Sequence, residues 1–354
     1  RAISAGASDI HLETRGSFAQ VWFRVYGERL EQPNMSMSTA TGICNTLYGF
    51  HADSNSKETA WDPDTVKECS IEHTCPDGSK AQLRFESTPI HPASDKNFQA
   101  VIRVLLMEGK TKQLSDIGYT AGHISVIEEM LVGAQGIVLL VGPTNSGKST
   151  SMQAFMQRIF DVRGRSIKAV TVEDPVEYVI PGACQMGVPK GRKALEGREG
   201  SVYRTFLKAT LRLDPDVVLV GEIRDSESAE STKDLVLAGR KLLSTLHVYE
   251  AFAAFERLKE LGVPPSVLYM EGFISGIIYQ RLVPVLCECA MPFEQAIKAG
   301  LIRPALAERV ARVSDLRRDN VRIRQRGGCA KCGYSGIVGR TTCAELLVPD
   351  ATFL

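Results

Sequence analysis

GIVLLVGPTNSGKST, residues 136–150, passes from an unbroken apolar run into a glycine-punctuated turn and then into a helix-forming segment. Its second half holds G-x-x-x-x-G-K-S from Gly142 to Ser149. Glycines let successive backbone N–H groups turn inward onto an anion. A lysine in this place adds positive charge at the terminal phosphates, and the serine hydroxyl is a Mg²⁺ ligand. The helix that follows points the positive end of its dipole at the same anion. The phosphate-binding segment is therefore read as Gly142, Pro143, Thr144, Asn145, Ser146, Gly147, Lys148, Ser149 and Thr150. A glycine-rich turn matching by chance would not bring strand, loop, lysine, serine and helix in this order.

Outward from this loop the chain repeats apolar strand, turn and helix. Strands are expected at Gly136–Val141, Ile167–Val172, Val217–Val220 and Leu242–Thr245. Helices are expected at Ser149–Phe160, Ser201–Leu213, Ser226–Leu237 and Glu250–Leu261. Such alternation implies a parallel sheet covered on both faces. Ligands of these sheets bind beyond the carboxyl ends of the strands. Three strand ends carry suitable chemistry: Glu173, Asp174 and Glu177 after the second, Glu222 after the third and His247 after the fourth. A P-loop needs a carboxylate for Mg²⁺ and a group that orients the attacking water. The competing reading of Glu222 is an acid at a helix N-terminus, and that of Asp174 a turn former before Pro175. Residues 181–200 read as a long loop.

Residues 1–105 read as a mixed α/β domain. Strands are expected at Asp9–Glu13, Gln20–Val25, 80–87 and Phe98–Leu105, with a helix at Thr39–Tyr48 capped by Ser38. Residues 51–79 are polar and read as a loop, and 107–116 have a linker's composition. At 354 residues the chain suits two or three domains. Lys and Arg number 42 against 41 Asp and Glu, so net charge exerts no global pull toward nucleic acid or an anionic membrane. The most apolar stretch, Val267–Leu286, is interrupted by Glu271, Gln280, Arg281 and Pro284, so no transmembrane helix is expected. The start lacks both a methionine and a signal-peptide core, and reads as part of a longer protein. Among nine cysteines, Cys287/Cys289 and Cys329/Cys332 form close pairs, which suggest a metal before disulfides.

Taken together these segments resemble the secretion ATPase superfamily, the motors of type II secretion, type IV pilus assembly and retraction, and related conjugation systems. GPTNSGKST resembles its Walker A, TVEDPVEYV (171–179) its aspartate box, LRLDPDVVLVGEIRDSESAES (211–231) its Walker B and LAGRKLLSTLHVYEAF (237–252) its histidine box. ASDIHLE (7–13) and WFRVYGERL (22–30) resemble the opening of its first domain, and GCAKCGYSGIVGRTTCAELL (328–347) the tail of its assembly branch.

The resemblance implies a PAS-like N-terminal domain over 1–106, a linker over 107–117 and a RecA-like P-loop ATPase domain over 118–281. A C-terminal subdomain with the cysteine pairs would occupy 282–354. It implies ATP and Mg²⁺ as ligands, with Lys148 and Ser149 on phosphate and metal and Asp174 near the metal. Glu222 becomes the Walker B carboxylate that polarises water, Glu177 the aspartate-box carboxylate and His247 the histidine-box residue. Arg84 and Arg103 become first-domain arginines that reach the nucleotide, with Arg224 and Arg212 as weaker candidates. Cys287, Cys289, Cys329 and Cys332 would form a structural Zn²⁺ site, although C-x-C is one residue shorter than the usual pair.

The implied assembly is a homo-oligomer, a hexamer in most of the family. It would be cytoplasmic and peripheral at the inner membrane, acting on a platform protein there, with no direct nucleic-acid partner. The chain departs from the pattern at Asn145, where the family has Gly, at Arg240 for His, at Val248-Tyr249 for Thr-Asn, and at Tyr26 for Asp. Two alternatives stay open. One is a nucleotide-binding regulatory ring with little turnover. The other is a retraction or DNA-transfer ATPase, for which residues 189–198 (PKGRKALEGR) are the one local basic cluster.

Overall fold

Alternating inward residues build the first sheet. Leu12, Ala19, Val21, Ile71, Phe85 and Ile102 are buried, each facing the opposite side of the sheet from its neighbours in sequence. The computed structural model describes residues 1–53, 60–92, 95–107, 112–164, 166–188, 199–313, 321–350 and 352. It is a mixed α/β structure of two units, Arg1–Arg281 with Thr342–Leu354, and Leu282–Thr341.

In the larger unit, β1 (Ala7–Arg15), β2 (Phe18–Val25), β3 (Glu28–Ser36), α1 (Met37–Thr46), β4 (Lys67–Thr74), β5 (Lys80–Pro89) and β6 (Phe98–Leu106) come first. The strands form an antiparallel sheet in the order β3-β2-β1-β6-β5-β4. Its apolar face packs on Ala40, Cys44 and Tyr48 in and just after α1. Two expectations are corrected here. The helix is capped by Ser36, not Ser38: Ser36 is extended at φ −68° and ψ 150°, and its hydroxyl accepts from the Thr39 N–H. Residues 51–79 are not all loop, because β4 pairs with β5 from Lys67↔Ser87 to Thr74↔Lys80 and buries Cys69 and Ile71.

The second sheet follows α2 (Ala121–Val132). Its elements are β7 (Gly136–Val141), α3 (Lys148–Arg163), β8 (Ala169–Glu173), β9 (Ala183–Gly187), α4 (Glu199–Thr210), β10 (Val217–Val220), α5 (Ser226–Leu237), β11 (Lys241–Leu246), α6 (Ala253–Glu260), α7 (Pro265–Leu268) and β12 (Ile274–Leu286). Strand order is β12-β7-β11-β10-β8-β9, parallel throughout. Both faces are covered, as the apolar runs predict. Ile137, Leu139 and Val141 pack with Ala229, Leu235, Phe255 and Leu258, while Val138 and Leu140 pack with Ile127, Met130, Phe155 and Ile159. The expected loop at 181–200 contains β9 as an edge strand, and the basic stretch 189–198 lies outside the described residues, as do 108–111 of the expected linker. The apolar stretch 267–286 is mostly β12, and among the described residues no helix is long and apolar enough to cross a membrane.

The smaller unit holds β13 (Met291–Pro292), α8 (Phe293–Lys298), α9 (Pro304–Val313) and β14 (Arg322–Ile323), around Phe293, Ala296 and Ile302. β15 (Ile337–Leu347) leaves it and adds to the second sheet beside β12. Thr342–Leu354 groups with the larger unit.

Lys241, the first residue of β11, is fully buried. Its ammonium donates to the Met130 carbonyl at the end of α2 and to Ser275 Oγ at 3.0 Å. Burial pushes its pKa down from 10.5 to about 8, and Arg163 adds to the effect. Between those values the unfolded chain holds a proton that the folded chain has lost, so stability rises with pH through that window. The full rise is bounded at about 3 kcal/mol, at about 1.4 kcal/mol per pH unit. Denaturant unfolding of the parent and of Lys241→Met at pH 7.5 and 10 should show the parent gaining relative to the variant. A difference that stays flat would mean that the carbonyls keep the ammonium charged.

Candidate nucleotide site

Strand β7 is buried along its whole length and delivers the chain to Gly142 at φ +148°. A Cβ there would lie 2.4 Å from the Gln280 carbonyl oxygen, so this position accepts only glycine. Asn145 has φ 63° and Gly147 φ 86°, both left-handed. Asparagine is the residue type that best tolerates that region after glycine, which is how Asn145 can stand in the loop. Gly147 caps α3, so Lys148, Ser149 and Thr150 form its first turn.

The Lys148 ammonium donates to the carbonyls of Gly142 and Pro143, both at 2.9 Å. The loop thus closes around its own lysine. Burial lowers the Lys148 pKa, while the nearby Glu222 and Glu177 carboxylates pull it back up. Ser146 Oγ is buried and meets no hydrogen-bond partner among the described residues. An orphaned hydroxyl inside a loop of inward-turned backbone fits an anionic ligand that would satisfy it.

The strand ends gather opposite this loop. Glu222 follows β10 and Gly221, and its Oε2 accepts from Arg224 Nε at 2.9 Å. Its Oε1 lies 3.2 Å from His247 Nε2. Burial and Lys148 lower the His247 pKa against the pull of Glu222, so near neutrality this is an uncharged imidazole beside a carboxylate. Arg224 also reaches Asp174 Oδ2 at 3.2 Å. Glu177 Oε1 lies 3.6 Å from Arg84 Nη2. Arg84 and Arg103 are directly opposite each other on β5 and β6, and Arg84 also feels the charges of Asp174 and Arg224.

The smaller unit carries the four expected cysteines in one cluster. The sulfurs of Cys287, Cys289, Cys329 and Cys332 all lie within 4.8 Å of one another. Cys329 Sγ is 3.8 Å from both Cys287 Sγ and Cys332 Sγ. A tetrahedron with Zn–S bonds of about 2.3 Å has edges of about 3.8 Å. Backbone N–H groups of Cys329 and Gly336 donate to Cys332 Sγ at 3.1 Å each and hold that thiol down to about 6. The short C-x-C pair reaches the cluster because the chain turns tightly there, with the Ala290 N–H on the Cys287 carbonyl at 2.8 Å.

The sequence profile of the family described as "Type II/IV secretion system protein" matches residues 1–353. This chain belongs to that family. Type II secretion system protein E of Klebsiella pneumoniae is 32% identical over 351 residues, which cover 99% of this chain and 64% of that protein. The type IV pilus assembly ATPase PilB of Thermus thermophilus is 31% identical over 350 residues, covering 97% of this chain and 35% of PilB. The chain therefore spans less than two thirds of the length of these relatives. Among solved structures, the Legionella pneumophila ATPase DotB superposes with a TM-score of 0.66 at 20% identity, over 99% of this chain and 79% of that one. The pilus retraction motor PilT superposes at 0.57 and 22% identity, over 88% and 87%. At these identities the two structures speak for a shared fold alone.

In this secretion-family chain the loop, Asp174, Glu177, Glu222, His247 and Arg84 lie in one charged network. Arg103 is turned differently, with its Nε on Asp9 Oδ1 at 3.1 Å. Arg212 is exposed and Arg224 is at the centre of the network. Sequence reasoning missed Gln280, Tyr119 and Ser151, which are hydrogen-bonded together next to the loop. The available signal was Gln280 itself, an amide inside the apolar run of β12.

Proposed function

We propose that this chain is the motor part of a machine that assembles a type IV pilus or pseudopilus, as in type II secretion, and that it hydrolyses ATP. The observation that carries the reading is Lys148 in its closed loop with Glu222, His247 and Glu177 in one network beside it. Lys148, the loop N–H groups and Ser149 would hold the phosphates, with Asp174 on the metal side. Mg²⁺, when bound, supplies charge neutralisation at the phosphate oxygens. Glu222 would orient water. Arg84 and Arg103, on a first domain of PAS-like type over 1–106, would neutralise charge on the transferred phosphoryl group. The RecA-like domain would run over 118–281 and the C-terminal subdomain from 282.

The working form is a ring-shaped homo-oligomer, a hexamer, in the cytoplasm at the inner membrane, where it drives a platform protein. Asn145 already in the left-handed conformation favours a turning-over motor above a regulatory ring. Mg²⁺-dependent ATP hydrolysis by the purified oligomer tests the reading. A well-folded oligomer that binds ATP without hydrolysing it would hand the site to the regulatory alternative.

The cysteine cluster would hold one Zn²⁺ in a purely structural role, since four sulfurs leave no open position. Elemental analysis of protein purified without chelators should give about one zinc per chain, and Cys329→Ser should lower this below one half. A parent with far less than one zinc would leave four reduced thiols instead.

A further inference from the structure

We propose that Gln280 is the positioning residue of the phosphate loop, fixing the loop's frame from the neighbouring strand; this rests on reading that loop as the ATP site. Gln280 lies on β12, next to β7, with no exposed surface. Its amide Nε2 donates to the Ser146 carbonyl at 2.7 Å. Its Oε1 accepts from Tyr119 OH at 2.6 Å and from Ser151 Oγ at 3.0 Å. Its own carbonyl is the atom that Gly142 approaches too closely for any side chain. Gln280 therefore bonds the loop at Ser146 and packs against it at Gly142, and the helix after it is tied to the same amide at Ser151.

The loop's two kinds of internal contact differ in what a phosphate would do to them. Lys148 sits on the Gly142 and Pro143 carbonyls, and an arriving phosphate competes for that ammonium. Gln280 holds a carbonyl, Ser146 O, and among the described residues none of the loop's N–H groups. Its bond can persist while those N–H groups turn to a ligand. A frame that needs no rearrangement on binding is preorganised, and preorganisation raises affinity by removing an ordering cost. Only a side chain that donates at one atom and accepts at another can do this, which a primary amide does and a carboxylate does not.

That chemistry gives the test. Gln280→Glu keeps the shape and the acceptor but loses the donor when ionised. A buried carboxyl has a raised pKa, and once protonated it can donate to Ser146 O again. The affinity for Mg-ADP, measured on the full chain and expressed relative to the parent at each pH, should be about tenfold weaker at pH 8.5. It should return to within about threefold at pH 6. Tyr119, which donates to this amide, and Lys148 of the loop are common to both proteins, so the ratio isolates the new carboxyl.

An affinity equal to the parent's at a pH where the new carboxyl shows its infrared carboxylate band, or a deficit equal at both pH values, would overturn the proposal. Should that variant not fold, Tyr119→Phe removes one of the two bonds to Oε1 and should weaken Mg-ADP by about twofold to fivefold. Parental affinity in Tyr119→Phe would overturn it equally. Failure of the parent itself to bind Mg-ADP would instead refute the ATP reading of the loop.

Discussion

Glu222→Gln is expected to lower ATP turnover by about 10³-fold while leaving ADP affinity within about threefold of the parent. Among the described residues the carboxylate makes no hydrogen bond to the phosphate loop: its oxygens face Arg224 Nε at 2.9 Å and His247 Nε2 at 3.2 Å. Its influence on Lys148 is through charge. Glutamine keeps the volume and can still accept from Arg224, so the loop and its ammonium stay in place. What is lost is the negative charge that would polarise water, and groups in that role contribute about 10²–10⁴-fold.

His247 sharpens the expectation. Burial and Lys148 lower its pKa, and a neutral imidazole carries no negative charge, so in Glu222→Gln it can accept a proton but supplies no anion to polarise water. Steady-state turnover and equilibrium binding of fluorescent ADP, read on the same preparations, check both halves. Should Glu177→Gln abolish turnover while Glu222→Gln retains it, the role belongs to the carboxylate beside Arg84 instead.

The parts of the fold that were legible are those that the environment makes one-valued. GIVLLV and VVLV are strands buried on both faces, and a parallel sheet leaves such runs no other place. β4 was not legible because KECSIEHT buries only Cys69 and Ile71, with Glu68 and Glu72 on the other face and Lys67 and His73 on the inward side at the strand's ends. β9 is an edge strand with no buried residue, so nothing in ACQMG distinguishes it from loop. Around α1, Ser36, Ser38 and Thr39 are all able to cap, and only the extended backbone at Ser36 decides among them.

The site divides in the same way. Glu222 and His247 follow strand ends and Lys148 opens the helix beyond one, where topology alone brings residues together. Gln280 meets partners 161 and 134 positions away, and from sequence it is only a polar interruption. Arg103 could be placed on the polar face of its strand, but its partner Asp9, 94 positions earlier, could not.

Gly142→Ala is expected to destabilise the folded chain by about 3 kcal/mol or more and to abolish nucleotide binding. Two costs combine: overpacking a filled site at about 1–3 kcal/mol, and a backbone conformation open only to glycine at about 1–3 kcal/mol. The obstacle is the Gln280 carbonyl at 2.4 Å, backbone of a strand held between β7 and β15, and it has no rotamer by which to yield. Two other glycines separate these costs. Gly239→Ala carries a φ of +82° but meets open space, so only strain of about 1 kcal/mol applies. Gly276→Ala would put its Cβ 2.4–2.7 Å from the Met130 side chain, which is flexible and can move aside. Unfolding midpoints should therefore fall furthest for Gly142→Ala. Were Gly142→Ala to unfold at the same denaturant concentration as Gly239→Ala, the loop would be free to lift away from β12. Its frame would then have to come from the nucleotide rather than from the strand beside it.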